Sequence, residues 1–193
     1  MISDLIKANR SCRRFYRDHP VELATLRALV DLARLSASAA NLQPLRYVLS
    51  CDDKKNAQIF LCLKWAGYMK DWPGPPEEER PSGYIVILAE TKEGSEWVGY
   101  DVGIASQSIL LGAREKGLAG CMIGAINRKK LTDELNISKQ FKILLVIAVG
   151  KPMEKAVIET VGQDNNICYW RDQNGVHHVP KRKLEDIVID AYE

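Results

Sequence analysis

Two basic clusters bracket this 193-residue chain, Arg10-Ser11-Cys12-Arg13-Arg14 near one end and Lys181-Arg182-Lys183 near the other. Guanidinium groups beside a hydroxyl can grip a phosphate or carboxylate through forked, charge-assisted hydrogen bonds. A single basic cluster more often decorates a solvated face, but two of them in a chain with almost no net charge are more suggestive than either alone. Ser36-Ala37-Ser38-Ala39-Ala40-Asn41-Leu42-Gln43 supplies hydroxyls, backbone N–H groups and two amides. Its ordinary reading is a helix end followed by a turn into a strand. Cys121-Met122-Ile123-Gly124 closes an apolar run with a glycine. Bare backbone there can approach a planar ligand, although a plain strand-to-loop glycine looks the same.

Other chemistries lack their residues. The chain carries neither Gly-x-Gly-x-x-Gly nor a phosphate-loop lysine motif, so a dinucleotide-binding or nucleoside-triphosphatase reading has no footing. Cys12, Cys51, Cys62, Cys121 and Cys168 are scattered, and His177-His178 is adjacent rather than one helical turn apart. No metal site is therefore expected, and the thiols read as small apolar fillers or stray thiols. A nucleophilic cysteine with a histidine base has no local signature.

The elements that must position these residues alternate between helix and strand. Leu23, Leu26, Val30 and Ala33 recur at helical spacing, which predicts a helix over 22–35. Pro44 disfavours helix at Gln43, so a turn leads into a strand over 46–50. A second helix is expected over 54–69, ending at the rigid Trp72-Pro73-Gly74-Pro75-Pro76 loop, and 77–80 reads as a charged surface stretch. Strands are expected over 84–89, 119–123 and 142–149, with helices over 97–116 and 128–135. The helix over 97–116 carries Gly99, Gly103 and Gly112, each weakening it by about 1 kcal/mol relative to alanine. Close approach of another backbone is the usual compensation. Trp65, Tyr68 and the Trp72 loop either overhang a pocket or fill the core.

Hydrophobic residues make up 46% of the chain and charged residues 27%, which excludes disordered and collagenous classes. With 27 basic and 25 acidic side chains the net charge is +2, which makes no case for nucleic acid. No apolar run approaches the roughly 18 residues of a membrane helix, and Met1-Ile2-Ser3-Asp4 does not open a signal peptide. The expectation is a cytoplasmic protein without membrane or nucleic-acid partners. It forms one domain, 1–193, within which 151–193 is a polar C-terminal extension packing on a second subunit.

The order of these motifs resembles that of the FMN-dependent nitroreductase family. The resemblance rests on Arg10-Ser11-Cys12-Arg13-Arg14-Phe15, on the turn from Ser36 to Pro44, on Asp101-Val102-Gly103-Ile104-Ala105-Ser106-Gln107, on Gly117-Leu118 with Cys121-Met122-Ile123-Gly124, and on Gly150-Lys151-Pro152. It implies an α+β fold, a mixed sheet flanked by helices in a domain-swapped homodimer with FMN at the interface. Arg10, Ser11 and Arg13 would then hold the ribityl phosphate and flavin edge. Ser38, Ala39, Ala40 and Asn41 would come from the partner subunit, with Gln43 close by. Ile123 and Gly124 would lie beside the reactive edge, and Lys181 and Arg182 would approach the phosphate. The implied activity is ping-pong: NADH or NADPH reduces the flavin and leaves, and a small-molecule acceptor such as a nitroaromatic or quinone takes the electrons. No side chain would act as nucleophile or base; Arg13, with Lys64 behind it, would stabilise the reduced flavin. A flavin-dependent dehalogenase and a slowly turning redox-sensing flavin dimer are the alternatives. The chain departs from many members at Asn9, Ala37 and Leu45, where a second arginine, a proline and a tryptophan are common.

Overall fold

The computed structural model describes residues 1–69, 71–91 and 96–193. At its centre are two apolar strands, β3 (Gly83–Glu90) and β5 (Phe141–Pro152), paired antiparallel with Ile85 opposite Ile147 and a register shift after Ile87. The first strand in sequence, β1 (Phe15–Tyr16), and β4 (Ala119–Ile123) share the outer edge of β5, while β2 (Leu45–Ser50) lines the outer edge of β3. Every pairing in this five-stranded sheet is antiparallel.

A strand covered on both faces must be apolar at consecutive positions, and β3 is buried from Gly83 through Ala89. Its odd positions Ile85 and Ile87 join Ile147 and Val149 against α2 (Leu23–Leu35) and α4 (Val98–Glu115). The helix stripe facing them is Leu26, Leu29 and Ala33 from α2 with Ala105, Ile109 and Ala113 from α4. The even positions Tyr84, Val86 and Leu88 join Val146 and Ala148 against α3 (Asp53–Phe60) and α5 (Arg128–Glu134), through Ile59 and Leu131. Each such buried aliphatic side chain stabilises the fold by roughly 1.5–3 kcal/mol. Among the glycines of α4, Gly112 faces Leu32 of α2 closely enough that an added Cβ would lie 2.2 Å from its Cδ1. Among the described residues, nothing lies within 4 Å of that position at Gly99 or Gly103.

Several expectations need correction. The helix expected over 54–69 stops at Phe60, because the following residues pair with the segment after β4. Leu63 bridges Ile126, Lys64 N–H donates to the Ala125 carbonyl and Asn127 N–H to that of Cys62. Ala66, at φ +45°, then turns the chain in the left-handed region. Strand β5 does not stop at Gly150 but runs to Pro152, where Pro152 and Lys151 pair with β1; the ring of Phe15 occupies the space a Gly150 side chain would need. Within the supposed surface stretch 77–80, Glu79 turns inward and takes two hydrogen bonds of 2.5 Å from Arg14. Three features went unforeseen: helix α1 (Ile2–Ala8), the short strand β1, and a second sheet in which β6 (Ala156–Thr160) lies parallel to β8 (His177–Lys181) with β7 (Trp170–Arg171) antiparallel on its other edge. Mixed strand directions occur in this smaller sheet. Among the described residues, no helix is long and apolar enough to cross a membrane.

Candidate functional site

The segment from Arg10 to Arg13 runs beside β4, held by a hydrogen bond from Cys12 N–H to the Gly120 carbonyl. It borders two cavities. One, of about 290 Å³, is lined by Arg10, Ser11, Arg114 and Lys155 with Glu154 as its one acidic side chain. The other, of about 200 Å³, is lined by Arg13, Lys64, Trp65, Ile123, Gly124 and Tyr169 and contains no acidic side chain. An added Cβ on Gly124 would meet only Leu145 Cδ1, at 4.0 Å, so the strand end offers bare backbone.

The three arginines of the first cluster have different partners. Arg10 donates to the carbonyls of Asn9 and Ile6 at the end of α1 and pairs with no carboxylate among the described residues. Arg14 is paired with Glu79 and holds that carboxyl below its usual range. Arg13, 8% exposed, places Nη1 3.3 Å from His177 Nε2 and its Cζ 4.6 Å from the Tyr169 ring centre. Its backbone N–H donates to the buried Glu154, which also accepts from Arg171 at 2.5 Å. The first part of the C-terminal extension therefore packs on its own chain, against Arg13.

The turn after α2 is built by the residue that opens the Asp101–Gln107 motif. Asp101, buried in the first turn of α4, accepts from Ser38 Oγ at 2.7 Å and from Ala39 N–H at 3.0 Å. Ser38 Oγ in turn accepts from Gln43 N–H, while Ala40, Asn41 and Gln43 all adopt positive φ. Burial, and then the Asp101 charge, push the neighbouring Tyr47 hydroxyl upward. Ser38, Gln43, Tyr47 and Asp101 line a third cavity of about 170 Å³. None of these three cavities, among the described residues, joins residues 38–43 to Arg10, Arg13, Ile123 or Gly124. Lys181 ends β8 and Arg182 follows it; both are exposed and line none of these three cavities.

Trp65 belongs to the core and also walls the second cavity, its ring pressed on Gly74. Tyr68 is exposed and packs edgewise on Tyr169. Cys12 is buried, and burial pushes its thiol up to about 12, which removes it as a nucleophile near neutral pH. Of the residues around these cavities, Asp101, Arg114, Glu154, Lys155, Tyr169 and His177 were not singled out as site residues in the sequence. They lie far from Arg10–Arg13 and from Ser36–Gln43 along the chain, and only the fold brings them together.

The donor set suits FMN. Arg10, Arg114 and Lys155 outnumber the single carboxylate in the larger cavity, and Glu154 is already bonded to Arg13 and Arg171. A phosphomonoester near two negative charges matches that excess. The open Gly124 backbone beside Trp65 and Tyr169 matches a planar ring. Small-molecule sites typically occupy about 300–1,000 Å³, and none of the three cavities reaches that range alone.

The family model for the nitroreductases matches residues 6–66 and 80–151. A Bacillus subtilis (strain 168) relative, "Putative NAD(P)H nitroreductase YodC", is 24% identical over 182 residues, covering 79% of this chain and 90% of that protein. Iodotyrosine deiodinase of Thermotoga neapolitana is 23% identical over 169 residues, covering 79% and 89%. The structure of an FMN-dependent nitroreductase from Clostridium difficile R20291 superposes with a TM-score of 0.66 at 25% identity, covering 80% of this chain and 89% of that one. With the family model spanning more than half of its length, the chain belongs to the nitroreductase family.

Proposed function

We propose that this chain is an FMN-dependent oxidoreductase that takes electrons from NADH or NADPH and passes them to a small planar acceptor, a nitroaromatic or a quinone. The observation that carries the reading is the Arg10–Arg13 strip, which connects a cation-rich cavity to an acid-free cavity at the Gly124 backbone. Arg10, Ser11, Arg114 and Lys155 would hold the phosphate, and Lys181 and Arg182 are the further basic candidates. Arg13 and Lys64 keep positive charge at the second cavity, where it favours an electron-rich ring. Ile123 and Gly124 offer backbone to that ring. Bound FMN supplies the two-electron chemistry, so this chain has to bind, orient and exclude water rather than furnish a nucleophile.

The working unit is a homodimer in which Ser38, Ala39, Ala40, Asn41 and Gln43 of one subunit complete the cavity at Arg13 of the other. Supporting this are the separation of the two halves within one chain, their small individual volumes, and the unpacked glycine face of α4. The test is an anaerobic titration. The purified protein should be yellow, bleach with NADH or NADPH and recolour with a nitroaromatic or quinone. Colour without bleaching would favour a flavin-binding dimer with little turnover, and no FMN uptake would overturn both readings. The deiodinase relative supports a second reading, reductive dehalogenation on the same scaffold; halide release from a halogenated phenol separates it from nitroreduction.

A further inference from the structure

We propose that His177 is a positioning residue for the cofactor site, accepting a hydrogen bond from Arg13 and holding that guanidinium at the cavity beside Gly124. This rests on the FMN reading. His177 is 1% exposed, and β8 sets it between Ala156 of β6 and Arg171 of β7. Its Nε2 lies 3.3 Å from Arg13 Nη1. Arginine donates and never accepts, so Nε2 is the acceptor and the ring proton sits on Nδ1. Among the described residues, that second nitrogen is buried without a hydrogen-bond partner, with Glu154 Oε1 4.0 Å away. The ring of Tyr169 packs on both, 4.6 Å from Arg13 Cζ and 5.2 Å from the His177 ring centre.

The choice of partner has a chemical consequence. A carboxylate in this place would fix the guanidinium but cancel its charge, as Glu79 does for Arg14. A neutral imidazole fixes its direction and leaves the full charge for an anionic ligand. Glu154 is kept off the guanidinium because it is bonded to the Arg13 backbone and to Arg171. The arrangement works only while His177 is neutral. Burial first, then the cations Arg13, Arg171 and His178, hold its imidazole below the ordinary histidine value against the opposing pull of Glu154. Acid beyond that point removes the acceptor and sets a second cation against Arg13.

The test measures FMN affinity by fluorescence quenching from about pH 7.5 to about pH 5 for wild type, His177→Gln and His177→Leu, each checked by circular dichroism and thermal melting. Glutamine offers a non-titrating acceptor. FMN's own phosphate and His178 titrate alike in wild type and His177→Gln, so the difference between their profiles isolates His177. At pH 7.5, His177→Leu should bind FMN about tenfold more weakly, the effect of one lost bond to a charged group, and His177→Gln should return to within about threefold of wild type. On acidification the wild type should lose affinity more steeply than His177→Gln. In the flavin-free protein, nitrogen NMR should find the His177 proton on Nδ1. Superimposable pH profiles, wild-type affinity in His177→Leu, or no recovery in His177→Gln overturns the inference while leaving the FMN reading intact. If His177→Leu does not fold, the two pH profiles and the tautomer decide. Wild-type protein that takes up no FMN at any pH overturns both.

Discussion

Asp101→Ala is the most informative perturbation of the turn at residues 38–43. The side chain removed is 4% exposed and accepts two hydrogen bonds, from Ser38 Oγ and Ala39 N–H. Bonds to a charged group contribute about 1.5–3 kcal/mol each, which sets a ceiling of about 6 kcal/mol. Two effects lower it. Ser38 and Ala39 are only half-buried, so water can replace part of what is lost, and deleting a buried carboxylate relieves its desolvation cost. The expected loss is about 2–4 kcal/mol, a sizeable share of the 5–15 kcal/mol typical of a domain. At roughly 2–4 °C per kcal/mol for a chain of this length, the melting temperature should fall by about 5–15 °C. Asp101→Asn keeps the shape and one acceptor, so its loss should be about half as large.

Equilibrium urea unfolding of the three proteins checks the magnitude, with equal slopes required for a two-state comparison. The backbone adds a second readout. Ala40, Asn41 and Gln43 sit at φ 48°, 56° and 50°, a region costing about 1–2 kcal/mol for an L-residue, and Asp101 is what holds the turn there. Freed from it, the turn should relax and FMN uptake should fall together with stability. An Asp101→Ala protein within about 0.5 kcal/mol of wild type, the usual range for an inconsequential surface change, would refute the reasoning. Lost stability with undiminished FMN binding would show that the turn is structural and no part of the cofactor site.

Ala40→Gly should raise the urea midpoint, because removing the Cβ relieves left-handed strain at φ 48°, for a net gain of about 0.5–1 kcal/mol after glycine's greater unfolded-state freedom. Gly103→Leu should leave the isolated fold intact, since nothing among the described residues lies within 4 Å of the new Cβ and leucine favours helix; sedimentation should show the proposed dimer lost together with its flavin, and a flavin-loaded dimer of the variant would contradict the proposed shared site. Glu79→Gln tests the pair with Arg14. Arg14 lowers the Glu79 pKa in the folded state, so the stabilisation is complete above the ordinary glutamate range near pH 4–5 and is lost as pH falls through the lowered value. Partial exposure limits it to about 1 kcal/mol, and the wild-type advantage seen in melting at pH 7 should shrink and then disappear as pH falls below the ordinary glutamate range.

The sheet and its two helical layers were legible because burial imposes a pattern. Ile85 and Ile87 cannot face one core while Val86 and Leu88 face another unless the whole run is apolar. The α2 stripe follows the same logic at helical spacing. Leu61 to Met69 misled because helical propensity is local, whereas the bonds that pull this segment out of helix, from Lys64 N–H to the Ala125 carbonyl and from Asn127 N–H to the Cys62 carbonyl, reach about sixty residues along the chain. The small sheet escaped notice for a related reason. Trp170 and Arg171 form a two-residue strand whose partner is His177-His178, too short for any alternation to register. The candidate site was legible only as motifs. Nothing in the sequence singled out Asp101, Glu154 or His177 as its supports.

The Arg10-to-Arg14 cluster shows why motif and mechanism are different levels of description. Within five residues, three identical side chains are differentiated by what they meet. Arg10 meets backbone carbonyls, which orient it and leave its charge free. Arg14 meets Glu79 and is neutralised into a brace between β1 and the 3₁₀ turn Glu77–Glu79. Arg13 meets His177, an acceptor without charge. A cluster that reads as one patch of three positive charges thus becomes two uncancelled charges, one at each of two adjoining cavities, and a structural tie. Reversing a single partner should convert one role into another. His177→Glu would give Arg13 a carboxylate in place of the imidazole. The fold should survive, because Arg13 pairs with the new carboxylate while Arg171 keeps the neighbouring Glu154, and the cavity beside Gly124 loses the uncancelled charge of Arg13. FMN affinity should therefore drop by at least the tenfold expected of a lost charge-assisted contact. Unchanged affinity in a folded His177→Glu protein would mean that the charge on Arg13 serves packing rather than ligand.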